Sequence, residues 1–278
     1  MTSPAGKGDF MRAFLQTRTQ KIMGFIIAFL LFAIGIVCSI AFGVTNIHWR
    51  TILEAITNFN GSQEHLIVTT ARLPRAFIAA TAGASLAVAG TLMQGITRNP
   101  LASPSLFGIN AGAAFFVVAG FAFFGLNGLS TFATLAFLGA AFAAALVYIL
   151  GSIGRDGLTP LKVTLAGAAM TAFFSSLSMG VLLTGGQTFD QVLFWFVGSV
   201  ADRDMDIYLS AAPYMFVALI GAWIIARHMN LLTLGEDVAT SLGQKTFAIK
   251  LIAGIIVVLL AGGSVSVAGP IAFVGIMI

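Results

Sequence analysis

Charge is what this sequence has least of. Only 9% of its 278 residues are Asp, Glu, Lys or Arg, against 58% hydrophobic residues and a mean hydropathy of +0.99. That balance lies far outside the range of soluble domains and marks an integral membrane protein. Cysteine is nearly absent: Cys38 stands alone, which excludes an intrachain disulfide. Histidine is as scarce. His48 and His65 stand 17 residues apart with no Cys or carboxylate at ligand spacing, so they read as solvated loop residues rather than metal ligands. No G-x-x-x-x-G-K-[ST] is present, so nothing here cradles nucleotide phosphates, and no cofactor is implied. Two imitations fall with closer reading. L-L-T-G-G-Q looks like an ATPase signature loop, but Gly185 to Gln187 sit at the end of an apolar run. D-R-D-M-D at 202–206 looks like a calcium loop, but Ile207 and Pro213 stand where its Gly and its bidentate Glu belong.

What is abundant is apolar sequence of spanning length. Runs at 21–43, 76–97, 105–125, 131–150, 161–184, 207–226 and 247–268 are each long enough for a hydrocarbon core of ~30 Å. They predict an all-α polytopic membrane protein with about seven transmembrane helices. The first run follows a basic segment, yet its core is too long for a signal peptide and no A-x-A site follows, so it is expected to stay as an anchor. With the N-terminus in the cytoplasm, ten of the 14 basic residues fall inside, and only Arg50, Arg72, Arg75 and Arg203 fall outside. That is the bias of cytoplasmic loops, and it explains the pI near 9.6 without a nucleic-acid partner. The division is then a cytoplasmic tail, 1–20, and a transmembrane domain, 21–278.

Several stretches carry more than hydropathy. R-L-P-R at 72–75 packs two of the four outer arginines into one tetrapeptide. Arginines at helix ends usually snorkel and anchor, and that reading stands beside a docking one. In the next run Ala79, Gly83 and Ala87 form a small-residue row, with Gly90 following, that suits a helix central to a bundle. Gly108 and Gly112 form a GxxxG in the third run. In the fifth, Thr164, Gly167, Ala168, Thr171, Ser175 and Ser178 recur at steps of three and four and share one face. Such a face lines a watery path, or else its hydroxyls bond their own helix's carbonyls and its small residues pack. In the inner loop, 227–250, Thr233 and Glu236 read as a capping box, Glu236 and Asp237 suit a helix start, and Gly243 suits its end. Leu234, Val238 and Leu242 then share a face. Finally, G-A-S-L-A-V-A-G at 83–90 returns as G-G-S-V-S-V-A-G at 262–269, on runs that cross the membrane in opposite senses. That is the pattern of an inverted repeat.

R-L-P-R, then G-A-S-L-A-V-A-G, M-Q, N-P-L-A-S-P and L-F-G-I-N-A-G closely resemble the permease subunits of ATP-binding-cassette importers for iron-siderophore complexes, haem and cobalamin. The resemblance runs from Lys21 onward. It implies a permease, not an enzyme, in a bacterial cytoplasmic membrane, importing a ferric siderophore or, alternatively, cobalamin or haem. It implies cytoplasmic ABC ATPase subunits, a second permease copy or paralogue, and an extracytoplasmic substrate-binding protein as partners. By the same resemblance Arg72 and Arg75 meet acidic residues of the binding protein. Leu234, Gly235, Glu236, Asp237, Val238, Ala239, Leu242 and Gly243 form the coupling helix that seats in the ATPase. Thr164, Ala168, Thr171, Ser175 and Ser178 border the translocation path between two permeases. The family continues through further helices, and the repeat likewise calls for three more after Gly269. The chain is therefore expected to hold the first seven of ten, with roughly 60 residues or more to follow. A different class, an ion-coupled transporter, would place acids or histidines within the spans. All ten acids and three histidines lie instead in loops or at span ends.

The orientation is testable. Single cysteines at Ser62 and Asp204 should react with an impermeant thiol reagent from outside, and one at Ser152 should not; reversed labelling would overturn it.

Overall fold

A computed structural model describes residues 17–154, 159–184, 190–201 and 203–271, and every regular element among them is helical. The G-G-Q of the signature-like loop, Arg155, Asp202 and the last seven residues lie outside this description. The chain divides into two compact units, residues 1–76 and 77–278.

The first unit opens with α1, Arg18–Ala41. Thr17 caps it by accepting from the Gln20 backbone N–H, while the Gln20 side chain accepts from the Thr17 N–H, a reciprocal capping box. No residue of α1 is buried, as befits a span bathed in lipid. A short helix, α2 (Trp49–Thr57), follows, then α3 (Gln63–Leu66) and a wider π-type turn, Ile67–Arg72. Ile47, Ile52, Ala55 and Val68 form a small core against Ile40 and Ala41. His65 departs from its expected solvated state. It is buried, and its Nδ1 accepts the Asn60 backbone N–H at 3.2 Å, which ties the loop down.

The second unit contains α4 (Leu73–Thr97) from Phe77 on, a 3₁₀ turn (Pro104–Phe107), α5 (Ile109–Phe124), α6 (Leu129–Ser152), α7 (Pro160–Thr184), α8 (Asp190–Val197), α9 (Met205–Thr233), α10 (Glu236–Ser241) and α11 (Thr246–Ala268). Among the described residues six helices are long and apolar enough to cross a membrane. The third run, expected to span from 105, is shorter: α5 has 16 residues. Gly108 takes a left-handed φ of 66°, which ends the 3₁₀ turn opened by Pro104 and restarts the helix at Ile109.

Among the described residues, approach to a neighbouring backbone is tightest at three glycines. A Cβ on Gly112 would strike the Gly139 carbonyl, and one on Gly139 would strike the Gly112 carbonyl, so α5 and α6 touch backbone to backbone. A Cβ on Gly167 would enter the Leu106 carbonyl, which seats α7 on the 3₁₀ turn. The row expected to do this on α4 does not: Ala79 is exposed and Gly83 has open space beside it. Instead α4 buries Ala82, Leu86, Ala89, Met93 and Ile96, a face with enough side-chain volume to fill the gap to its neighbours. The second repeat copy reaches α4 just ahead of the first. Ser264 Oγ lies 3.5 Å from the Ala82 carbonyl and donates to its own Leu260 carbonyl at 2.7 Å.

Gly167→Ala should therefore cost about 1–3 kcal/mol through overpacking. Gly180→Ala, with nothing near its Cβ, should cost nothing. Thermal midpoints of the detergent-solubilised variants measure the difference, and equal midpoints would contradict the close contact.

Candidate functional site

The inner loop folds into a compact reversal. The expected capping box is absent: Thr233 still belongs to α9, and its hydroxyl donates to the Asn230 carbonyl at 2.8 Å. The N-cap of α10 is Gly235, whose φ of 133° suits glycine and lets the chain turn sharply. Gly243, just past the C-cap Leu242, takes a φ of 82° and ends the helix as expected. Gln244 Nε2 donates to the His228 carbonyl at 3.1 Å, closing the reversal between α9 and α11.

Glu236 has a partner that pattern reading overlooked. Lys250 Nζ on α11 donates to its Oε2 at 2.7 Å, with 4% of the Lys250 side chain exposed and 44% of Glu236. Burial by itself would raise the Glu236 carboxyl. The hydrogen bond and charge of Lys250, helped by Thr246 and Arg98, outweigh it and hold the carboxyl below its ordinary range. The contribution is thus present at neutral pH and fades as acid protonates Glu236. A signal did exist, since a lysine at 250 shares a helical face with Ala253, Gly254 and Val257, all buried.

Of the coupling residues, Leu234, Val238 and Leu242 present an exposed apolar face, and Asp237 and Gly243 are also exposed. Ala239 differs from these. It is fully buried within the chain's own packing, because it lies on the opposite side of a helix pinned by Lys250, so it is no part of an outward surface.

The outer arginines are turned inward. Arg72 is 4% exposed, and its Nη1 donates to the carbonyls of Ile40 (3.0 Å) and Ala41 (2.8 Å) while Nη2 donates to that of Thr45. Arg75 Nη2 donates to the carbonyl of Ser39 at 2.8 Å and remains partly exposed. Together they satisfy the orphan carbonyls and the negative end of α1, a role nearer to the anchoring reading than to a free docking pair. Arg72 in this position has no guanidinium edge to offer a partner.

The polar stripe of α7 straddles two environments. Ala168 and Ser175 are exposed, and Thr164 and Thr171 lie at the border. Gly167 and Ser178 are turned into the bundle. Thr164 donates to the Pro160 carbonyl at 2.9 Å and Ser178 to that of Phe174 at 2.8 Å. Ser178 is buried and bonded within its own helix, because its position rotates it toward the contact made by Gly167.

Residues 30–278 match the model of the FecCD transport family. The chain belongs to that family. It is 51% identical over 244 residues, 88% of its length and 73% of the relative's, to the "Probable siderophore transport system permease protein YfiZ" of Bacillus subtilis (strain 168). It is 37% identical to the "Ferric enterobactin transport system permease protein FepD" of Escherichia coli (strain K12), over 94% of this chain and 77% of that one. A solved structure described as an inward-facing, metal-chelate type ABC transporter superposes with a TM-score of 0.74 at 26% identity, covering 89% of this chain and 75% of that one. As a FecCD transport protein the chain is a membrane permease of an ABC importer system and not an enzyme.

Removing one partner of the Lys250–Glu236 pair strands a charge at a buried site. Glu236→Gln should cost between roughly 1 kcal/mol, as for exposed pairs, and about 3 kcal/mol, the low end for buried ones. Adding Lys250→Met should recover most of the loss. A double-mutant cycle in thermal unfolding measures it, and additive losses would contradict the pair.

Proposed function

We propose that this chain is the membrane permease of an importer for ferric siderophores, driven by ATP hydrolysed on separate cytoplasmic subunits. The observation that carries the substrate class is that the relatives compared are permeases for iron chelates, at up to 51% identity over 88% of this chain. An extracytoplasmic binding protein delivers the chelate to the outer face near Arg75, with Arg72 holding the end of α1 in place. A second permease, identical or paralogous, completes the path. Ala168 and Ser175, flanked by Thr164 and Thr171, border it with small, weakly polar groups that do not grip a bulky ligand.

Leu234, Val238 and Leu242 form the surface that seats in the ATPase. Gly235 and Gly243 set its two ends, and Asp237 lies on its rim. Support comes from the exposure of three large aliphatics on and beside the short helix α10, outside the spans, where the hydrophobic effect favours a protein cover. Lys250–Glu236 then ties that helix to α11, so that movement imposed from the ATPase reaches a spanning helix directly.

In the assembled importer Val238→Arg should leave insertion and folding intact, since the side chain points outward, yet block seating. A seating penalty of about 1.4 kcal/mol already lowers assembly tenfold, read as loss of ATPase co-purification and of chelate uptake together. Normal uptake by this variant would refute the coupling surface. The substrate is tested separately, by titrating the cognate binding protein with ferric siderophores, haem and cobalamin. Selective binding of haem or cobalamin would reassign the ligand and leave the coupling surface untouched.

A further inference from the structure

We infer that α2 is an interfacial helix whose exposed apolar stripe is seated in the lipid of the leaflet at the C-terminal end of α1, the outer leaflet in the N-in orientation. The helix divides into three sectors rather than two. Ile52 and Ala55 are buried against the first unit's own core. Arg50, Glu54 and Thr57 are exposed and polar, and suit water. Trp49, Leu53 and Ile56, at steps of four and three, make a third sector that is apolar and still 60%, 51% and 57% exposed. A short helix lying between protein and water needs only a buried face and a polar face, so a separate exposed apolar stripe calls for a third medium.

The depth of the helix names that medium. Its buried face belongs to the small core against which Ile40 and Ala41, the last two residues of α1, also pack, so α2 shares that core with the end of a span that exposes apolar side chains all around. At that level the surrounding medium is the boundary between headgroups and acyl chains. Trp49 suits it, because the indole is an amphipathic ring that favours this depth. The Arg50 guanidinium lies 5.8 Å from the Trp49 ring centroid, where a cation can stay at the headgroups while its stem covers apolar surface. The polar sector pairs one Arg with one Glu, so attachment comes from apolar burial rather than from attraction to anionic lipid.

The test uses the assembled transporter in nanodiscs, with Cys38→Ser and a spin-labelled cysteine at Leu53 or, separately, at Glu54. Power saturation against oxygen, which concentrates in lipid, and a water-soluble nickel chelate reads the environment of each label. The Leu53 label should be relaxed by oxygen and shielded from nickel, and the Glu54 label the reverse, with the same result in phosphatidylcholine alone and with phosphatidylglycerol added. Nickel access at Leu53 equal to that at Glu54 would place the stripe in water. Shielding from both agents, whether at rest or on adding the binding protein, would make it a protein-docking face. Either outcome overturns the inference.

Discussion

Backbone contact through Gly112, Gly139 and Gly167 is the constraint on which the second unit's arrangement depends. In a bilayer the lipid tails are as apolar as Leu, so helices gain little from merely hiding side chains from water, and close van der Waals approach carries more of the association. A methyl group at any of these glycines would collide with a carbonyl oxygen of the neighbouring segment. The position of α7 follows from the Gly167 contact. So does the rotation that turns Ser178 inward and leaves Ala168 and Ser175 outside. The short α5 follows as well, because the 3₁₀ turn that receives Gly167 occupies chain that would otherwise extend it.

The few charges are held to the same standard of satisfaction. A guanidinium at a span's end is tolerable when it meets carbonyls that have no other donor, and Arg72 and Arg75 do this for α1. A buried ammonium on α11 is tolerable because Glu236 meets it. Each pairing joins two separate segments of the chain. In the inner reversal the proposed coupling would draw on the same bonds as stability: what holds α10 against α11 is also what would carry its displacement.

The sequence made the class plain, since composition and run length require membrane helices. Family membership was legible in R-L-P-R and N-P-L-A-S-P. The turn at Gly243 was legible too, because only a few residue types end a helix that way. What could not be read was rotation about helix axes. Spacing puts Thr164 to Ser178 on one face, but a shift of some tens of degrees decides which of them the neighbouring helix covers. The full burial of Ala239 was illegible for the same reason. Long-range pairing was equally hidden. Thr233 lies three residues from Glu236, so local rules favoured the capping box, whereas the true partner stands 14 residues away on another helix. The bonds of Arg72 to the end of α1 were hidden as well, because its acceptors are backbone carbonyls, which no side-chain pattern reveals.

On the proposed reading this chain moves an iron chelate by work done on a separate ATPase rather than by an ion gradient. The direct measurement is uptake of radiolabelled ferric siderophore into proteoliposomes holding the assembled permease and ATPase, with binding protein outside and ATP inside. Accumulation that requires ATP, stops with vanadate and persists when ionophores collapse the proton and sodium gradients is the predicted result. Accumulation that needs no ATP and vanishes with either gradient would contradict it.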